Sequence, residues 1–461
     1  MYLVVGIIVL IGAITLFKNA AGTLNPLKLN MISWIAYYNV ILQCFFSAIL
    51  VVYSVDNHYQ ISKLSSEAPR QMGYWAILYT MLMLPLGMLL ANKIFAANTR
   101  MLFKKYVAQR ITPYTSNTDS FVRFPLYLVT TMCALSVVYT YIMMREIPII
   151  ELVKGGDALL LAGLREEVGR EFKGNPIFRN VFGLLLTPII SYIAYGYYRM
   201  TRRLRDRIWF WGTFILSILI LTYNMAKAPV VLYLIGFLFF RVYEKGQIKR
   251  FTLIYSGAGL ITMLLLMYSF LSPSESNILF SLSFGIPGRI LLSQSAGIYF
   301  SFETFPQHHD FLGFSSFAQL TDLLGIERSE RSARILMERY NPEAVEEGTA
   351  GVMNSLFIAE AWANFGKFGL LASPLYVGFL IQSMYIFFLR MKKTPVFLGL
   401  FCYFSYKGAI SGGFNEYLYH PIMLMLSAVL LLIIFLSKYL QLIKGYGQKN
   451  HIPPSVQTRS K

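Results

Sequence analysis

The chain has 461 residues, of which 56% are hydrophobic, 16% aromatic and only 14% charged, and its mean hydropathy is +0.53. A water-soluble domain carries roughly 25% charged residues, so a soluble globular fold is excluded and lipid is the expected solvent. The formal net charge of +18 gathers at the ends of apolar runs with no interleaved aromatic platform, which argues against nucleic acid as a partner.

Apolar runs of bilayer-crossing length recur over 1–17, 31–54, 73–95, 124–144, 179–198, 208–224, 229–242, 251–271, 368–389, 395–411 and 417–437. They predict about eleven transmembrane helices in an all-α polytopic membrane protein, with residues 1–461 forming a single integral-membrane domain. The run 1–17 has no positive residue ahead of it and no small-x-small cleavage site, so it reads as a helix and not a signal peptide. Runs 208–224 and 229–242 are short and share a turn at Lys227-Ala228-Pro229, where proline's missing N–H does no harm.

Orientation follows from the collection of Lys and Arg after alternate spans. Lys93, Arg100, Lys104, Lys105, Arg110 and Arg123 follow the third span, and Arg199, Arg202, Arg203, Arg205 and Arg207 follow the fifth. Arg241, Lys245, Lys249 and Arg250 follow the seventh, and Arg390, Lys392 and Lys393 the ninth. That side is read as cytoplasmic, with a periplasmic N-terminus and a cytoplasmic C-terminus.

The opposite connections are charge-balanced or acidic, and two are too long to be simple connectors. Segment 145–178 turns at Gly155-Gly156 and continues as an amphipathic stretch whose apolar residues are Leu159, Leu160, Leu164 and Val168. Segment 272–350, part of a large loop over 272–367, opens with an apolar stretch broken at Pro287-Gly288, read as short helices dipping into the membrane. A helix over Glu327–Tyr340 is expected next, ended by Asn341-Pro342. Cys44, Cys133 and Cys402 all fall inside predicted spans, with neither disulfide nor metal-ligand spacing.

Side chains able to carry chemistry crowd the non-cytoplasmic side. Glu360, Asn364 and Lys367 recur at i, i+4 and i+7, which places them on one helical stripe at the entrance of an apolar run. Charges there face a wet cavity or a partner, or reach the interface by snorkelling. Arg165 and Arg170 either pair with Glu166, Glu167 and Glu171 along their helix or meet lipid diphosphate, which suits guanidinium geometry. Arg289 follows Pro287-Gly288 in apolar company with no acid within a turn, so it needs an anion from elsewhere. Lys227 is an ordinary interfacial lysine or a cation held at a cavity mouth by short helices. Glu416 and His420, at i and i+4, could form a base and its orienter or a capping pair.

Arg328, Arg331 and Arg334 read as structural, because Glu327–Arg331, Glu330–Arg334 and Arg334–Glu338 are all i, i+4 pairs. His308-His309-Asp310 lacks a third ligand at metal-binding spacing. No nucleophile elbow, phosphate loop or zinc-protease motif occurs.

The stretch Asn354-Ser-Leu-Phe-Ile-Ala-Glu360-Ala-Trp-Ala-Asn364-Phe-Gly-Lys-Phe-Gly369 is similar to the "AE-aromatic-x-N-F-G-x-x-G" segment that follows the large loop in the Wzy-type O-antigen polymerase family. The turn Ala226-Lys227-Ala228 is similar to that family's small–basic–small turn, although arginine is commoner there. The chain as a whole resembles this family in its number of spans and its two enlarged periplasmic loops, both of which hold basic residues. The resemblance implies a GT-C-like membrane glycosyltransferase of the bacterial inner membrane, independent of metal and of any cofactor. Such an enzyme polymerises undecaprenyl-diphosphate-linked oligosaccharide repeat units into O-antigen or a related surface polysaccharide at the periplasmic face. It passes the growing chain to the incoming unit, and its partners are membrane lipids and a chain-length regulator protein. By the same resemblance Glu360, His309 and Glu416 are the catalytic candidates. Arg165, Arg170, Lys227, Arg289, Asn364, Lys367 and His420 are the substrate-binding ones. An O-antigen ligase and a flippase for lipid-linked oligosaccharide are the competing readings; a flippase should bury charges along a path between both faces and often shows internal repeats.

Overall fold

A computed structural model describes the chain except for residues 56, 115–118, 157, 170–171, 272–279, 318–320, 323–324, 348–349, 408–409 and most of 420–461. Among the described residues every regular element is helical. Among those same residues seven helices are long and apolar enough to cross a membrane: Tyr2–Lys28, Met31–Val52, Glu67–Ile94, Phe121–Met143, Pro176–Thr201, Arg250–Met267 and Phe357–Arg390. The molecule is therefore an all-α membrane protein.

In chain order the elements used below are α1 (Tyr2–Ala21), α2 (Met31–Val52, π-helical over Ile35–Phe45), α3 (Glu67–Ile94) and α4 (Thr99–Ala108). Next come α5 (Asp119–Met143), α6 (Pro148–Val153), α7 (Ala158–Gly169) and α8 (Pro176–Thr201). They are followed by α9 (Leu204–Thr222), α10 (Lys227–Lys245), α11 (Arg250–Leu271) and α12 (Ala296–Thr304). The last are α13 (Ser332–Tyr340), α14 (Phe357–Arg390), α15 (Pro395–Lys407) and α16 (Asn415–Leu418). The expected run over 417–437 lies largely outside the described residues.

Small residues let the central helices touch backbone to backbone, as apolar helices do in lipid where no hydrophobic drive separates them from solvent. On α3 and α14 the contact is reciprocal. A side chain at Gly87 would meet the Leu375 carbonyl at 2.1 Å, and one at Gly378 the Leu84 carbonyl at 2.1 Å. Buried Gln382 on α14 then donates to Ala20 O of α1 (2.9 Å) and Asn92 Oδ1 of α3 (2.7 Å), so three helices are tied at one end.

That end collects the basic residues. Lys393 is 1% exposed and donates to the carbonyls of Val107, Gln109 and Tyr243 at 3.2, 2.7 and 2.7 Å, with the Tyr106 ring 4.9 Å away. Burial pulls its ammonium down to about 8, opposed by Glu244. Arg123 bonds Asp206 at 2.7 Å, and Arg199 pairs with Glu244 at 2.6 Å. Arg390 reaches Phe95 O, and Ile248 N–H reaches Leu27 O. The basic clusters after alternate helices thus share one face, as their spacing predicts.

The other end is built from long connections. The chain turns at Gly155 between α6 and α7. On α7 Leu164 and Val168 are buried as expected and Leu161 joins them, whereas Leu160 is 44% exposed. Buried Arg179 locks α7 down by donating to the Val168 and Gly169 carbonyls at 2.6 and 3.1 Å. Every residue of α12 is buried. It inserts between the ends of α2 and α3, where Ser47 bonds both Ser295 (2.5 Å) and Tyr299 (3.2 Å).

Candidate functional site

The site grows from a break in α14. Gly366 has φ 57° and ψ −136°, a conformation open essentially to glycine alone, so the helix ends after Phe365 and restarts. Gly369 then packs where a side chain would strike the Ala361 carbonyl at 1.9 Å. Carbonyls freed by the break still need partners. Leu312 N–H and Gly313 N–H supply them, bonding Ala363 O and Asn364 O at 2.9 Å each. The short helix carrying Glu360 and Asn364 is thereby set at its own angle across the bundle mouth. The expected stripe is cut at this point: Glu360 and Asn364 stay on it, while Lys367 lies beyond the break and is exposed.

Glu360 is 4% exposed, and a buried carboxylate is stable only when paired and hydrogen-bonded. Arg331 meets it two-pronged, Nε to Oε1 at 2.8 Å and Nη2 to Oε2 at 3.0 Å. The Asn415 N–H adds a third donor to Oε2 at 2.8 Å. Glu416, with a side chain 45% exposed, stands 3.8 Å from Arg331 Nη1, and the Arg331 side chain is itself 43% exposed. Burial pulls the Arg331 guanidinium down, but its hydrogen bonds to Glu360 and the charges of Glu360 and Glu416 outweigh that and hold it above its ordinary value. Behind the pair runs a buried amide network. Asn364 Nδ2 donates to Asn415 Oδ1 at 2.7 Å, and Ser316 Oγ donates to Asn364 Oδ1 at 3.1 Å.

Gly413 is the hinge of this arrangement. A β-carbon there would fall 2.1 Å from Arg331 Nη2 and 2.3 Å from Glu360 Oε2. Only a residue without a side chain lets the 410–416 turn close over the ion pair.

Arg331 is the residue that sequence reasoning set aside. Its expected i, i+4 partner Glu327 does not hold it, because the helix starts at Ser332 and Arg331 is an extended residue just before it (φ −70°, ψ 146°). Of the three anticipated pairs only Arg334–Glu338 forms among the described residues, at 2.6 Å. The available signal was Glu360 itself, a carboxylate in an apolar helix that demanded a cation. Ser316, Asn415 and Gly413 carried no such signal.

Glu303 is a second buried carboxylate at this end, 5% exposed. It accepts from the N–H (2.9 Å) and hydroxyl of Ser65 and from the Tyr340 hydroxyl at 3.0 Å, and so clasps the 53–66 connection to α12 and α13. Nearby, His58 is 1% exposed and bonds Ser293 at 3.0 Å. Burial, then the charge of Arg289, push its imidazole down to about 4.

The other sequence candidates are not gathered at the Arg331–Glu360 pair. Arg289 lies beside His58 and donates to Phe284 O at 3.3 Å. His309 is exposed, its ring against Phe305 and its Nδ1 at 2.8 Å from Asp310 O. Lys227 opens α10 and Arg165 is exposed on α7. Arg170 and His420 lie outside the described residues. The structure therefore joins Glu360, Asn364 and Glu416 through Arg331 and Asn415. No protein-family model, curated protein or solved structure matches this chain.

Proposed function

We propose that this chain is an inner-membrane glycosyltransferase that polymerises undecaprenyl-diphosphate-linked oligosaccharide repeat units into O-antigen or a related surface polysaccharide. In this reading about eleven helices form a GT-C-like bundle with the N-terminus periplasmic, the C-terminus cytoplasmic and the basic end facing the cytoplasm. The observation that carries it is the half-exposed Arg331, aimed by a buried carboxylate and standing 3.8 Å from the exposed carboxylate of Glu416.

A glycosyl diphosphate already has a good leaving group, so the enzyme's task is to stabilise charge where it develops. Arg331 takes the departing diphosphate as the sugar C1–O bond breaks. Its planar fork stays on Glu360, and the Nη1 edge faces the mouth. Glu416 accepts the proton of the incoming hydroxyl as the new C1–O bond forms, and releases it to water. Glu360, Asn364 and Asn415 hold these two groups in place. Arg165, Lys227 and Arg289 stand on the same end and draw anionic carriers to it by long-range attraction.

Cells that depend on this chain for polymer length provide the test. Compared with wild type at matched protein level, Arg331→Ala and Glu416→Gln are each expected to reduce long polysaccharide to single repeat units. Long chains made normally by both variants would overturn the assignment.

A further inference from the structure

A wide cavity lies at the opposite, basic end and plays no part in the proposed chemistry. It is a hollow of about 770 Å³ between the end of α1, the 22–28 turn and α4. Lys18, Lys28, Arg100 and Lys104 converge on it, and no carboxylate lines it among the described residues. Four arginines elsewhere on this face do stand against carboxylates, Arg123 and Arg205 at Asp206 and Arg199 and Arg241 at Glu244. The four around the hollow have no acidic partner among the described residues.

The hollow is held open by backbone, not by chance side-chain positions. Gly22, at φ 77°, turns the chain so closely onto α4 that a side chain there would meet Arg100 N at 2.6 Å. Phe103 and Val107 of α4 give the hollow an apolar wall. Four like charges around one space repel one another, and an anion entering it relieves that repulsion. The outer face of α1 leads away from the hollow as an apolar strip, with Ile7, Ile8, Ile11 and Ile14 exposed. A charged head with hydrocarbon beneath it fits both features.

We propose that this hollow seats the phosphate headgroup of an anionic glycerophospholipid, with its acyl chains along α1. The site lies in the leaflet on the basic side and does not depend on the polymerase reading. Basic pockets at helix ends recognise such headgroups by this combination of charge and depth.

Native mass spectrometry of the full chain, released from phosphatidylcholine nanodiscs with and without phosphatidylglycerol, tests it. The wild-type chain should retain phosphatidylglycerol in preference to phosphatidylcholine. The combined variant Lys18→Gln, Lys28→Gln, Arg100→Gln, Lys104→Gln should lose that retention by about tenfold or more. A control set of equal charge on the same face, Arg203→Gln, Arg207→Gln, Lys245→Gln, Lys249→Gln, should keep it. Equal loss in both sets would reduce the effect to diffuse surface charge and overturn the site, as would no loss in the first set. A thermal shift with inorganic phosphate alone equal to that with the lipid would overturn the lipid assignment in favour of a soluble anion. Should the fourfold variant not fold, Lys18→Gln with Lys104→Gln, both exposed side chains, carries the same comparison against Arg203→Gln with Lys249→Gln.

Discussion

Arg331 and Glu360 are worth more as a pair than as separate charges. Glu360 has given up water almost wholly, and removing its partner leaves a carboxylate with one backbone donor. Arg331→Ala should therefore destabilise by about 2–3 kcal/mol, the range for a broken buried pair reduced for the arginine's partial exposure. Glu360→Gln should cost less, since the amide keeps the volume and still accepts from Asn415. A double-mutant cycle on thermal or denaturant unfolding should return a coupling of at least about 1 kcal/mol; additive losses would mean that the contact organises nothing. Glu360, Asn364 and Glu416 were legible in the chain because polar groups in apolar surroundings announce a need for partners. Arg331 was not, because Glu327 four residues away offered a simpler local explanation, and nothing in a single sequence reports a contact across 29 residues.

His58 gives a pH signature at the same scale. Burial and the charge of Arg289 hold its imidazole down at about 4, below the ordinary histidine value of 6.5, so between those values the unfolded chain binds more protons than the folded one. The resulting stability is fully present above pH 6.5 and is lost as pH falls towards 4, by on the order of 3 kcal/mol. Unfolding followed from pH 7 to pH 4.5 should show this slope, and His58→Gln should flatten it. An unchanged slope in the variant would place the sensitivity elsewhere.

At the scale of elements, apolar runs foretold the seven span-length helices among the described residues, since bilayer thickness dictates their length, but not short helices such as Thr99–Ala108 and Ala296–Thr304. Runs at 208–224 and 229–242 became Leu204–Thr222 and Lys227–Lys245, longer because charged first and last turns extend beyond the apolar cores. What the runs concealed was the break in α14. Hydropathy is continuous across Gly366, and only the paired glycines of Asn364-Phe-Gly-Lys-Phe-Gly369 hinted at a turn. Gly366→Ala must force φ 57° on a residue with a β-carbon and press it 3.0 Å from the Phe311 ring. A loss of about 1–3 kcal/mol is expected from the backbone strain, with polymer length lost alongside it because the Glu360 helix is re-aimed. Wild-type melting and wild-type polymer in this variant would show that the break has no role in the site.

Over the whole molecule, charge and hydropathy together described a two-ended object before any contact was known. One end is basic, tied by Lys393, Arg199 and Arg123 to neighbouring helices. The other carries the long connections, buried Glu303 and Glu360 and the half-exposed Arg331. The segregation was legible because lipid sorts charge by side; the convergence of 331, 360 and 413–416 was not, because it depends on how distant connections fold over the mouth. The polymerase reading is a claim about that mouth. Purified protein in liposomes, supplied with defined undecaprenyl-diphosphate-linked repeat units, should yield a ladder of products separated by one repeat, and Arg331→Ala should abolish it. Transfer of units between leaflets with no ladder, or an undiminished ladder from Arg331→Ala, would contradict it.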